Sequence, residues 1–200
     1  RAEPTVVTSS DLFVAAIEEA RAGTPPDCPT GGVDALLQCA DGWSPVRLAQ
    51  ECVTMAAEMA GAEQSALYVS LDEAMGCVAL CPPHLESPLS IPQSAKRFPW
   101  NIGTVMASRF VLVEDASTLV ASSGTSTDTT LGELGIASAL HLPLWAGNRL
   151  TGALHLYCDE SVTDWDDRPG ALLRAIGVFT LERISRTSAH NLRSTVESHP

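Results

Sequence analysis

A chain of 200 residues that is 45% hydrophobic and 18% charged has enough apolar material for one domain with its own core, which excludes wholesale disorder. Lys and Arg total 12 against 24 Asp and Glu, a formal charge of −12, so the chain has no basic footprint for phosphates and is not expected to bind nucleic acid directly. No apolar run reaches the roughly 18 residues of a membrane span, and no secretory leader is visible, so no membrane contact and a cytoplasmic location are expected.

Residues 1–43 read as an N-terminal helical extension. Ser9, Ser10 and Asp11 precede Leu12, Phe13, Ala16 and Ile17, a capped start to an apolar stripe. A Pro/Gly loop over 23–32 leads to a short helix over 33–39. Ser44-Pro45 is a stronger start, because Ser caps well and Pro is tolerated at the first helical position. Leu48, Cys52, Met55, Ala56 and Met59 then recur at helical spacing as far as Gly61, a natural stop. Strands are expected over 65–71 and 75–81, joined by Asp72-Glu73-Ala74. Five prolines between 82 and 99 mark a loop. A short helix over 101–108 and a third strand over 111–113 follow. The Ser/Thr/Gly-rich stretch 116–136 reads as a loop carrying one or two short helices.

The six cysteines read as small buried hydrophobes in a reducing compartment. Cys77 and Cys81 lie on one strand, where they are expected to share a face roughly 13 Å apart, too far to bridge. Nothing near this pair completes a metal site.

Residues 137–158 carry the clearest pattern. Leu140, Leu142 and Leu144 alternate with His141, Pro143 and Trp145, and Leu154 and Leu156 alternate with Ala153, His155 and Tyr157. The pattern predicts a half-buried strand pair. A two-residue turn at Gly147-Asn148 pairs Leu144 with Thr151 and puts the leucines of the two strands on opposite faces. A three-residue turn, Ala146-Gly147-Asn148, pairs Leu144 with Leu150, Leu142 with Gly152 and Leu140 with Leu154. Burying several leucines at about 2 kcal/mol each outweighs turn preference, which favours the three-residue turn. The other face then carries Ala139, His141, Trp145, Ala153, His155 and Tyr157. That mixture of small, aromatic and imidazole groups suits a pocket with a few polar anchors, although two histidines satisfied inside a core fit it as well.

These residues resemble the GAF family of small-molecule sensor domains. The resemblance runs from about Leu48 to Ile184 and rests on Ser138-Ala139-Leu140-His141-Leu142-Pro143-Leu144 and Gly152-Ala153-Leu154-His155-Leu156-Tyr157. Val111-Leu112-Val113-Glu114-Asp115 is similar to the family's strand-then-Asp element. The resemblance implies an α+β fold, with a central antiparallel sheet, the N- and C-terminal helices on one face and a loop-covered pocket on the other. The implied ligand-binding residues are Ala139, His141, His155 and Tyr157, with Phe98 and Trp100 as lid candidates. Residues 82–136 contain no cysteine. That departs from the methionine sulfoxide reductases and the bilin-attaching proteins of the family. The Asn-Lys-x-Phe pattern of its cyclic-nucleotide binders is also missing. The resemblance leaves any cofactor unknown.

A final helix is expected from about residue 169 into the 190s, capped by 164–167 and striped by Leu172, Leu173, Ile176, Phe179 and Ile184. Its tail thins to Leu192 and Val196 and calls for a partner helix. Asn191-Leu192-Arg193-Ser194-Thr195-Val196-Glu197-Ser198 resembles the connector that opens ANTAR domains, which bind RNA in transcription antitermination. The expected organisation is an extension over 1–43, a GAF-like domain over 44–184 and a connector helix over 185–200. The expected role is a ligand-sensing, homodimeric module of a regulator, paired through its terminal helices. Two alternatives stand beside it. One is a haem, metal or redox sensor using His141, His155 or Cys77. The other is a degenerate relative that only dimerises. An enzyme is not expected: no nucleophile elbow, phosphate loop or helical His-Glu-x-x-His occurs, and Asp115, Glu133, Asp159 and Glu160 are not paired for acid–base work.

Overall fold

Helix α1 covers Gly32–Cys39 and α2 covers Pro45–Ala60. Ser44 keeps an extended backbone (φ −64°, ψ 154°) while its hydroxyl accepts the Arg47 N–H at 3.3 Å. Gly61 closes α2 in the left-handed region (φ 63°, ψ 32°), where a Cβ is penalised. The computed structural model describes residues 32–40, 42–71, 74–83, 93–94, 110–116, 135–162 and 167–197. The expected helix over the first 17 residues, the turn at Asp72-Glu73, Phe98, Trp100, the helix over 101–108 and most of the 116–136 stretch lie outside the described residues.

Six strands follow: β1 (Gln64–Leu71), β2 (Ala74–Cys81), β3 (Gln93–Ser94), β4 (Val111–Val113), β5 (Ser138–Ala146) and β6 (Arg149–Cys158). They form one sheet in the order β3-β2-β1-β6-β5-β4, with every pairing antiparallel. The 111–113 strand is thus the fourth, because β3 adds an edge within the proline-rich stretch. Helix α3 (Asp167–Glu197) closes the fold and runs unbroken through the expected connector as far as Glu197.

The hairpin register corrects the sequence reading. Ala146 pairs with Arg149 and Trp145 with Leu150, so the turn has two residues, Gly147 (φ 61°) and Asn148. The register then shifts, and Leu144 pairs with Gly152, Leu142 with Leu154 and Leu140 with Leu156. Thr151 is the extra residue of this bulge, and its hydroxyl donates to the Leu144 carbonyl at 2.9 Å. The tight turn and the leucine face are both kept, because one bulged residue restores the parity that the turn alone would invert.

A second bulge corrects the cysteine reading. The β1–β2 register shifts between Leu67 and Tyr68, leaving Val78 as the extra residue between Cys77, opposite Tyr68, and Ala79, opposite Leu67. Cys77 and Cys81 therefore face opposite sides of the sheet, and neither forms a disulfide.

One face is aliphatic. Leu67, Val69, Leu140, Leu142, Leu144, Leu154 and Leu156 pack against Leu48, Cys52 and Val53 of α2, Leu173, Ile176, Leu181 and Ile184 of α3, and Leu36 of α1. Leu181 takes a place that the expected stripe gave to Leu172, which is 42% exposed. Two glycines mark close approaches, one to the neighbouring strand and one between sheet and helix. A Cβ on Gly152 would run into the Tyr68 carbonyl, and one on Gly177 would lie 2.8 Å from Leu144 Cδ1. No helix among the described residues is long and apolar enough to cross a membrane.

Candidate functional site

The opposite face is set by the same alternation. Across the middle of the sheet, Ala66 pairs with His155, His155 with His141 and His141 with Val111. In the row on one side stand Gln64, Tyr157, Ala139 and Val113; in the row on the other stand Cys77, Tyr68, Ala153 and Pro143. The two imidazoles thus sit at the centre, flanked by two tyrosines, over a floor of Ala66, Ala139 and Ala153. Met75, Ala116 and Ile136 complete the cluster, with Leu80 at its margin.

The polar groups are in direct contact. The His141 and His155 ring centroids lie 4.1 Å apart at an interplanar angle of 87°. Tyr68 stands 4.8 Å from His155, and Tyr157 stands 5.9 Å from His141. His155 Nδ1 and the Tyr157 hydroxyl form a 2.9 Å hydrogen bond. The Tyr68 and Tyr157 side chains also share a hydrogen bond.

Burial keeps this cluster uncharged. Desolvation pushes His141 from 6.5 down to about 3, and it holds His155 well below 6.5, helped by the neighbouring His141. Desolvation likewise raises the Tyr68 and Tyr157 phenols well above their ordinary range. The described arginines lie elsewhere: Arg47 stacks on Trp43 and pairs with Glu51 in α2, Arg149 is exposed beside the hairpin turn, and Arg168, Arg174, Arg183, Arg186 and Arg193 belong to α3. Among the described residues no three His, Cys, Asp or Glu side chains form a group able to hold a metal ion. Tyr68 stands between Cys77 and the strand that carries His155.

The structure brings together Ala139, His141, His155 and Tyr157 of the expected ligand-binding set. All four are at most 1% exposed, so the face is closed over these side chains rather than open. Trp145, expected beside them, lies past the bulge, half-buried and outside the cluster. Phe98 and Trp100 lie outside the described residues. Tyr68 was not anticipated, and Cys77 was anticipated only as a metal or redox ligand. The available signal was in β1, where Ala66 and Tyr68 alternate with Ser65, Leu67 and Val69.

The model of the GAF domain family matches residues 44–180, and the chain belongs to that family. Among solved structures, it is similar to a phycocyanobilin-bound GAF domain from a cyanobacterial phytochrome. The TM-score is 0.56 at 14% identity, covering 98% of this chain and 100% of that one. It is also similar to a domain described as part of a two-component sensor histidine kinase of Sinorhizobium meliloti. There the TM-score is 0.54 at 16% identity, covering 72% of this chain and 92% of that one. The PixJ GAF domain of Thermosynechococcus elongatus, in its blue-light-absorbing form, gives 0.52 at 16% identity over 82% and 95%. At these identities the likeness is one of fold. No curated protein matches the sequence.

Proposed function

We propose that residues 44–184 form the ligand-sensing and dimerising domain of a bacterial signal-transduction or transcription regulator acting in the cytoplasm. The observation that carries this reading is the two-sided hairpin. β5 and β6 hold His141 and His155 on one face, while Leu142, Leu144 and Leu154, their neighbours in the chain, pack on the other beneath α2 and α3. A shift of either imidazole strand on ligand binding reaches α3 through rigid backbone. Similar domains bear names of sensor kinases and photoreceptors, which agrees with a sensing role. Ala139, His141, His155 and Tyr157 are the ligand contacts in this reading, with Phe98 and Trp100 as lid residues.

Helix α3 continues as one helix beyond the family match, through the segment that resembles the ANTAR connector. In this reading 185–200 carries the signal to an RNA-binding output domain, 1–43 is an extension, and two copies pair through their terminal helices. The chain itself makes no nucleic-acid contact, and it is a sensor rather than an enzyme. Native mass spectrometry of the purified chain tests the proposal. It should show a two-chain mass with a retained small molecule, and a monomer with nothing bound contradicts it.

The closed face favours a second reading, a relative in which this side is a second core and the chain only dimerises. A two-chain mass with no ligand, together with His141 and His155 signals indifferent to every added small molecule, supports that reading.

A further inference from the structure

We propose that two copies of the chain pair antiparallel along α3, so that a heptad row on the domain half of each helix meets the tail half of the other. This rests on the reading of the chain as a dimer joined through its terminal helices, and it adds the surface and the direction.

The row follows from spacing along α3. Ala171, Ala175, Val178 and Glu182 stand four, three and four residues apart, and Ser185, Ala189, Leu192 and Val196 continue the same alternation. This is the spacing of a helix that supercoils with a partner. Leu173, Ile176, Leu181 and Ile184, which α3 buries in its own domain, occupy none of these positions. On the domain half Ala171, Ala175 and Glu182 are exposed, and Val178 and Ser185 are half-buried. Glu182 is the one charge in the row.

The course of the helix identifies the occupant. Ile184 is the last residue of α3 in the described core, yet the helix runs on to Glu197. That stretch, about three and a half turns, is marginal as a helix in water without a partner. Its row continues the row on the domain half, so one surface serves both halves of a two-fold pair, in which residue i meets j and j meets i. Charge permits the approach. Each copy carries a net −12, but α3 holds Arg168, Arg174, Arg183, Arg186 and Arg193 against Asp167, Glu182 and Glu197.

Size and Glu182 decide the direction. In a parallel pair each position meets its own copy. Alanine then faces alanine at 171, 175 and 189, which leaves the layers underfilled, and Glu182 faces Glu182, which repels. An antiparallel pair has its two-fold axis between Arg183 and Ile184. Ala171 then meets Val196, Ala175 meets Leu192, Val178 meets Ala189 and Glu182 meets Ser185. The first three layers each join a smaller residue to a larger one. Arg186 pairs with Glu182 of its own helix at 3.5 Å. In the antiparallel pair it also stands beside Glu182 of the other copy, and the carboxylate gains a second guanidinium.

The test uses the whole chain. Sedimentation equilibrium should give a dimer. Leu172, 42% exposed beside the row, is replaced by photoreactive p-benzoylphenylalanine. Mixing ¹⁴N- and ¹⁵N-labelled chains identifies by mass the cross-links that join two copies. The cross-link should fall within residues 189–197 of the other copy, a stretch about 25 Å or more away along the same helix. Leu192→Glu lies beyond the last core residue of α3, so the far-UV circular dichroism of the domain should be kept. It sets a carboxylate against Ala175 in both halves of the pair and should weaken the dimer at least about tenfold. Glu182→Gln should not tighten it. A cross-link to residues 167–176 of the other copy, or a Glu182→Gln dimer about tenfold tighter, shows parallel pairing. Either result overturns the proposal and leaves dimerisation standing. A dimer with no such cross-link, or one that Leu192→Glu does not weaken, pairs through another surface and overturns the proposal as well. A chain that stays monomeric at about 0.1 mM removes both the proposal and the dimer reading beneath it.

Discussion

His155 and Tyr157 stand two residues apart on β6 and share a hydrogen bond in a fully desolvated setting, so the two side chains are energetically coupled. Removing one partner leaves the other buried with an unmet valence, which costs more than the bond itself is worth. Tyr157→Phe is therefore expected to lower stability by about 1–3 kcal/mol, measured by urea denaturation. In the double variant with His155→Leu the orphaned nitrogen is gone as well. The double loss should fall short of the sum of the two single losses by about 0.5 kcal/mol or more. Strict additivity would show that the bond has no energetic role. The imidazole–phenol pair was visible in the alternation of 153–157. Tyr68 was not, because its place beside His155 depends on β1 pairing with β6 across some 90 residues of chain, and no local pattern encodes that neighbour.

At the scale of elements, hydrophobic parity was legible and register was not. Alternating leucines required one aliphatic face on β5 and β6, and that face exists. They could not say whether a three-residue turn or a two-residue turn with a bulge supplies it, since both place Leu140, Leu142, Leu144, Leu154 and Leu156 on the same side. The choice lies in Thr151, whose hydroxyl holds the bulge against the Leu144 carbonyl. The same limit hid the opposed faces of Cys77 and Cys81. Helix capping was fully legible, because Ser44, Pro45 and Gly61 act within one turn of themselves. Close packing at glycines, by contrast, was silent. Gly152 lies under the Tyr68 backbone, and Gly177 receives the end of the Leu144 side chain. Backbone cannot yield, whereas a leucine terminus can shift by a few tenths of an ångström. Gly152→Ala is expected to cost about 3 kcal/mol or more, or to prevent folding. Gly177→Ala gains about 1 kcal/mol of helix propensity and loses about 1–3 kcal/mol to overpacking, so its net cost is the smaller of the two. Thermal melts of both variants check the ranking; the reverse order would show that the sheet relaxes more readily than the helix interface.

For the molecule as a whole, the buried neutral groups set the pH range of stability. The folded chain holds His141 at about 3 against 6.5 in its ordinary state, and His155 is displaced in the same direction. Below 6.5 the unfolded chain binds protons that the folded one refuses, so the stability conferred by neutral imidazoles is complete above 6.5 and is lost as pH falls toward 3. Between pH 6.5 and 5, above the range where most carboxylates titrate, His141 alone should remove about 2 kcal/mol. The opposite limb comes from acids held neutral. Cys52, buried between α2 and α3, is raised from 9.0 to about 11, and the two site phenols are raised above 10.0. Their stabilisation is present below pH 9 and is lost as pH climbs past it, because the unfolded chain ionises first. Urea midpoints should therefore form a plateau between about pH 6.5 and 9 that falls away on both sides. His141→Phe separates the acid limb from general charge effects. The ring keeps the packing, and the drop between pH 6.5 and 5 should shrink to the share left by His155. An unchanged drop would place the acid sensitivity elsewhere, most simply in the carboxylates that give the chain its net charge of −12.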